Sequence, residues 1–348
     1  MLKVTRHAYL QTRLSIYATR LLTEQQFVSL LKQPLEEILP AVANQGLQKI
    51  EKKLIQSHLS LLAAGNMDNL FLSVFLGDAQ IIIRSLSGVE HEFFVYWMRR
   101  FELKNLKTII RGKSLQRPVE QIQAELTIIK QFSLLPIETL LNMDSIADIL
   151  KQLENTSFSS IAHYADSNYE AKEDIFTIET AINHEYFSGL KKRLNKLVIK
   201  QQDLIQPLMG SIIDLTNLIW LLRYRLLYGF SSSHCYFLLV SGGLYLNANN
   251  LARLSKIENI EQLNDLLPDK ISEKIIAFES IHQIELSLEK HIILLARMIL
   301  KTSSFSLAHV FAYLVLREKQ LSQLHALFKG KLLHLPDSEI AIAMGVKL

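Results

Sequence analysis

An all-α fold is what this chain predicts, and three observations predict it. Apolar residues recur at 3.6-residue spacing almost throughout, strict apolar/polar alternation over five or more residues is hard to find, and Gly (12) and Pro (7) are scarce. That combination excludes disordered, collagen-like and loop-rich β classes. With 348 residues, 49% of them hydrophobic, the chain can bury a sizeable core, and units of roughly 100–200 residues would divide it in two or three.

Taken in order, the first 23 residues carry Lys3, Arg6, Arg13 and Arg20, no acid before Glu24, and Leu10, Leu14, Tyr17 and Leu21 at helical spacing. A transit peptide has the same look, but an amphipathic first helix is the preferred reading, and no secretory signal is expected. The segment from Glu170 to Lys200 puts acids first (Glu170, Glu173, Asp174, Glu179, Glu185) and bases last (Lys191, Lys192, Arg193, Lys196, Lys200). This order complements a helix macrodipole, with Phe187, Leu190, Leu194 and Leu197 as the apolar face. Between Ile281 and Ile299 the residues Ile284, Leu288, Ile292 and Leu295 complete one buried stripe.

The longest uncharged stretch, Leu226 to Ala252, is interrupted by Ser231, Ser232, Ser233, His234, Gly242 and Gly243, so it predicts a buried hairpin between helices, with a membrane span as the second reading, and no transmembrane helix is expected. Cys235 stands alone and matches no zinc spacing, which points to a reducing, cytoplasmic setting. A net charge of +4 and a pI near 8.9 give no reason to favour nucleic acid.

Internal repetition is the most informative feature. FELKNLKTIIRGK (Phe101 to Lys113) echoes IDLTNLIWLLRYR (Ile213 to Arg225) and KQLSQLHALFKGK (Lys319 to Lys331), residue 213 following 101 by 112 positions and 319 following 213 by 106. In this register Glu102, Asp214 and Gln320 match, as do Asn105, Asn217 and Gln323, and Arg111, Arg223 and Lys329. A second echo sets Leu135-Pro136 beside Leu246-Asn247 and Leu335-Pro336, each a helix start. The division expected from this is three helical units at 1–117, 118–229 and 230–348. The acid and the Asn share one helix face, while the Arg lies about half a turn away from the acid and needs a partner on another helix. These polar residues form either a functional seam or satisfied interhelical hydrogen bonds.

Catalytic signatures fail on inspection. Gly112-Lys113-Ser114 resembles the end of a P-loop, but Lys107 stands where its first Gly belongs. His91-Glu92 and His184-Glu185 lack the second His of a zinc-protease helix, since Val95 and Ser188 occupy those places. Gly242-Gly243 reads as a turn, Cys235 as a buried structural residue rather than a nucleophile, and Tyr96-Trp97-Met98-Arg99-Arg100 as too isolated to bind nucleic acid.

The repeated segments carry a family likeness. FELKNLKTIIRGK and IDLTNLIWLLRYRLLYG resemble the E-x-x-N-L-x-x-x-x-R signature of the C subunit of the A/V-type ATP synthases (the d subunit in eukaryotes), and REKQLSQLHALFKGK, from Arg317, is similar to the family's C-terminal signature. GDAQIIIRSL at 77–86, AYLQTRLSIYATRLL at 8–22 and the Gly242-Gly243 turn add to the likeness, which spans essentially the whole chain. The resemblance implies a funnel of three similar helical domains about a pseudo-threefold axis, seated on the cytoplasmic face of the proteolipid c-ring. It implies a foothold for the D and F subunits of the central stalk, torque transmission, peripheral contact with the membrane sector, and neither cofactor, nucleotide nor catalysis. Glu102, Asn105, Arg111, Asp214, Asn217, Arg223, Glu318 and Lys329 are then structural or partner-contact residues. Gln320 and Gln323 depart from the pattern, so polar contacts of the third copy are expected to differ. A free helical adaptor that binds partner proteins is the alternative, although no period near 34 residues supports it; an α-helical hydrolase using a carboxylate or Cys235 is a third reading.

Overall fold

The computed structural model describes residues 2–43, 47, 66–129, 132–156, 158–162 and 175–347, and every regular element among them is a helix. The fold is all-α. Three helices open the chain: α1 (Leu2–Ala18), α2 (Glu24–Leu31) and α3 (Leu35–Val42). Leu10, Leu14 and Tyr17 of α1 are buried, as their spacing requires, and the following turn buries Leu22 more deeply than Leu21. Thr23 then starts α2 with a capping box: its hydroxyl accepts from the Gln26 N–H while Gln26 Oε1 accepts from the Thr23 N–H.

Three helix pairs make the frame. They are α4 (Asn66–Ile83) with α5 (Gly88–Ser114), α9 (Ile175–Leu194) with α10 (Ile199–Leu222), and α15 (Ile281–Thr302) with α16 (Leu307–Leu332). Each pair is joined by four residues, yet among the described residues only α15 lies closely along its partner α16; α4 packs chiefly on α16 and α9 on α5. Shorter helices fill the intervals: α6 (Val119–Ala124), α7 (Ile137–Leu141) and α8 (Ile146–Glu154), then α11 (Ser232–Phe237), α12 (Ala248–Leu254), α13 (Leu263–Leu266) and α14 (Asp269–Ser272), and last α17 (Asp337–Met344).

Two expectations change at this level. The acid-first, base-last segment is interrupted: α9 ends at Leu194, with Lys191, Lys192 and Arg193 in its last turn, while Leu197 is buried in the connection and Lys200 belongs to α10. Glu170, Glu173 and Asp174 lie outside the described residues. The stretch from Leu226 to Ala252 is a helix–turn–helix, α11 and α12 around the Gly242-Gly243 turn, burying Cys235, Leu238, Leu239 and Val240. Among the described residues, the helix long and apolar enough to cross a bilayer is the preceding Ile199–Leu227, yet 61% of its most apolar window is buried in the protein.

The long helices α5, α10 and α16 run in the same direction. Phe93 packs on Phe311 and Arg100 pairs with Glu318; both contacts join residues 218 positions apart, and two such contacts seven residues apart are possible only for parallel neighbours. Helix α10 starts beside α16, where Gln201 Oε1 accepts from the Leu307 N–H at 2.8 Å. Its far end meets the start of α15 through Arg223 and Glu285, and α15 returns antiparallel along α16. All three long helices therefore end on one side of the molecule.

Each long helix also ends in the same way. Gly112, Tyr224 and Gly330 carbonyls accept from the N–H of Arg117, Phe230 and Leu335 at 2.9 Å, and the residue before each donor has a left-handed φ: Gln116 at 52°, Gly229 at 66° and His334 at 55°. Gly112 and Gly330 leave no room for a Cβ against Ile122 and Ile340, which is the reason for the glycine in the sequence that resembled a P-loop. The second copy spans one more residue, absorbed by a single π-helical turn, Arg223–Leu227.

Candidate functional site

The polar residues of the repeat lie on the long helices one turn apart, and their first partners are backbone groups. Glu102, 1% exposed, accepts with one carboxylate oxygen, Oε1, from the N–H groups of Leu134 and Leu135 and the hydroxyl of Ser133. Asp214 takes Leu244 and Tyr245 N–H on Oδ2 at 3.1 and 2.9 Å, and Leu246 N–H on Oδ1 at 3.0 Å. Both loops lead straight into a short helix, α7 after Pro136 and α12 after Asn247. Buried, acceptor-only groups facing three donors are the chemistry needed to hold a non-repetitive loop against a helix.

The amides one turn on pair with a whole peptide unit. Asn105 donates to the Thr127 carbonyl at 2.7 Å and accepts from its N–H at 2.8 Å; Asn217 does the same with Val240 at 2.8 and 2.9 Å. Only an amide side chain offers a donor and an acceptor at this spacing. Gly243 sits so close to Asp214 that a Cβ would collide with the carboxylate, which explains one member of the Gly242-Gly243 turn.

In the third copy Gln320 does related work on a distant segment. Its Oε1 accepts from the Leu22 N–H at 3.3 Å and its Nε2 donates to the Arg20 carbonyl at 3.0 Å, so the loop it holds is the one leading into α2. Gln323 donates to the Met344 carbonyl. The second sequence echo is corrected here. Leu135-Pro136 and Leu246-Asn247 are partners, but their third counterpart is Leu22-Thr23, because these are the three clasped loops. Pro336 instead corresponds to Pro118, each following a left-handed turn at the end of a long helix. Gly112, Pro118 and Ile122 match Gly330, Pro336 and Ile340 at the repeat spacing, a signal available in the sequence.

The cationic positions link helices. Arg111 makes a two-pronged pair with Glu179 of α9, and Arg223 reaches Glu285 of α15 at 3.1 Å. Glu318 pairs with Arg100, whose guanidinium lies 3.6 Å from the Trp97 ring centroid, so the basic-aromatic cluster at 96–100 is spent inside the fold. Lys329 is exposed in the last turn of α16.

Burial pushes the carboxyls of Glu102 and Asp214 up, and the N–H donors they face only partly pull them back. Burial also raises the Cys235 thiol to about 12, so it is no thiolate at neutral pH. The site is thus a set of backbone clasps, and the class it defines is an all-helical structural subunit.

A family model, the ATP synthase (C/AC39) subunit, matches residues 10–341. The chain belongs to that family, a non-catalytic subunit of the rotary ATPases. It is 22% identical to the C subunit of the A-type ATP synthase of Methanosarcina mazei over 341 residues, covering 96% of this chain and 91% of the relative. The Methanosarcina acetivorans protein of the same name is 23% identical over 96% of this chain and 91% of the relative, and that of Methanocaldococcus jannaschii 23% over 77% and 69%. The protein is accordingly a peripheral subunit of a membrane-associated complex and interacts with other subunits of it.

Proposed function

We propose that this chain is the rotor connector of its complex, seated between the proteolipid c-ring, on the cytoplasmic face, and the D and F subunits of the central stalk, and passing torque between them during proton or sodium transport. On this reading its three helical units surround a pseudo-threefold axis as a funnel. Each unit is one helix pair with its clasped loop, and the third is completed by residues from the start of the chain, which moves its limits from the simple division at 117 and 229.

One observation supports the role above others. The three parallel helices end on one side, and each leaves a leucine exposed at the same register: Leu115 at 70%, Leu227 at 66% and Leu333 at 48%. Three apolar points, equivalent in register around an axis, suit a partner that itself repeats around that axis, and a ring of identical subunits is such a partner. Tagged chain purified from native membranes is expected to bring down both ring and stalk pair, and recovery of neither would end the proposal. Replacing Leu115, Leu227 and Leu333 together by Asp is expected to release the ring while retaining D and F; a ring retained in full would show that the leucines are not its seat.

A further inference from the structure

The clasped loops leave a groove beside each helix pair, and the second and third copies can be compared residue for residue. In the third, the space between α15, α16 and α2 is about 210 Å³ and is braced by charge: Lys290 pairs with Glu24, Lys319 with Glu289, and Arg297 donates to the Leu22 carbonyl. In the second, the space between α9, α10 and α12 is about 790 Å³. The repeat spacing sets His184 where Lys290 stands and Ile213 where Lys319 stands, and the matching helix caps Asn247 and Thr23 set Ala248 where Glu24 stands. Asn183, the counterpart of Glu289, is turned to the other side, where it accepts from Lys107 at 3.1 Å. In the first copy Asn69 spans the corresponding gap, donating to the Leu126 carbonyl and accepting from the Ile128 N–H.

Both ion pairs of the third groove are thus replaced in the second by neutral or apolar side chains, and the cation that remains is Lys191, at the repeat spacing from Arg297. The helices follow suit: α15 lies along α16, whereas α9 leans on α5 and α10 on α15, so α9 and α10 splay. The opened walls are apolar, with Phe187 and Leu251 among them, and Tyr236 and Phe237 form a lip that is 40% and 44% exposed. The formally charged side chain in the lining is Lys191, and exposed Lys192 follows it on α9.

We infer that this groove is a docking site for an amphipathic helix of another subunit of the complex, one that lays an apolar face between α9 and α12 and carries acidic residues along the flank that meets Lys191 and Lys192. A groove of this volume accepts a few large side chains, the i, i+3/i+4 and i+7 anchors by which a helix is gripped. The basic edge selects the flank, since a cationic helix would meet Lys191 with its own charge. The inference rests on the chain working inside its ATPase complex.

The test places a benzophenone amino acid at Phe237 of the full chain, assembled in native membranes, and maps the cross-linked peptide. An amphipathic, acidic segment of another subunit is expected. The third copy supplies the control: His184→Lys with Ala248→Glu builds the missing brace into the second groove and should cut that cross-link by about tenfold, a loss of about 1.4 kcal/mol in docking. Circular dichroism and retention in the complex report separately on the fold and assembly of this variant. Cross-links to lipid, to this chain itself or to a basic segment would overturn the inference, as would a yield the brace does not change. A chain that stays assembled while position 237 labels nothing would remove the groove and leave the connector reading standing.

Discussion

Asp214 and Gln320 occupy the same register on two parallel helices and both hold a loop that leads into a short helix, yet they do so with different chemistry. Asp214 meets three successive N–H groups about 30 residues downstream. Gln320 meets one N–H and one carbonyl of a turn some 300 residues upstream. A run of inward-facing donors calls for an acceptor-only carboxylate, whereas a turn that presents both kinds of group calls for an amide. What looks like divergence of the third copy is thus a match to a different backbone, and the loop's place in the chain, next in sequence or at its start, decides which side chain fits.

The largest expected effect comes from removing the carboxylate. Asp214→Ala leaves the Tyr245 and Leu246 N–H groups without their acceptor, the Leu244 N–H keeping the Gly210 carbonyl at 3.3 Å, and should cost about 3 kcal/mol in denaturant unfolding. A loss below about 1 kcal/mol would mean that water replaces the carboxylate and the clasp is not structural.

Gln320→Ala is the next test, because it breaks the long-range clasp. It should cost about 1–2 kcal/mol, and hydrogen exchange should quicken in the turn at 20–22 and in the first turn of α2 while the 244–246 loop stays protected. Uniform deprotection of both regions would refute the one-to-one assignment of clasps to loops.

The smallest effect concerns pH and separates a titratable clasp from a neutral one. Asp214 has a folded pKa above its unfolded value, so the native state holds the extra proton between the two. Its contribution is present below the unfolded value, about 4, and is lost as pH rises through the folded one. The stability gap between wild type and Asp214→Asn should therefore shrink as pH rises from about 4 through that window, while the gap for Gln320→Ala stays level there. A gap for Asp214→Asn that widens with pH would show that the N–H donors outweigh burial.

Much of this could be read from residues alone. The register of 319 with 101 and with 213 is the register in which α16 touches α5 and α10, and Leu10, Leu14 and Tyr17 pointed α1 inward correctly. The echo at Leu335-Pro336 misled because a proline at a helix start marks any helix start. Its structural counterpart, Pro118, was marked by the shared glycine and isoleucine around it. The groove beside α9 gave no sequence signal, since it arises from absent ion pairs, and an absence is visible only when the equivalent pairs of the third copy are seen closed.

By itself the sequence determined the all-helical fold, the repeat and the likeness to a rotary ATPase component, because side-chain periodicity and spacing are written in residue types. The tertiary structure decided what the repeated acids and amides do and that the third clasp closes on the chain's own beginning. The partners of Glu102, Asn105, Asp214, Asn217 and Gln320 are backbone N–H and C=O groups, which nearly every residue carries and which therefore leave no mark in the sequence.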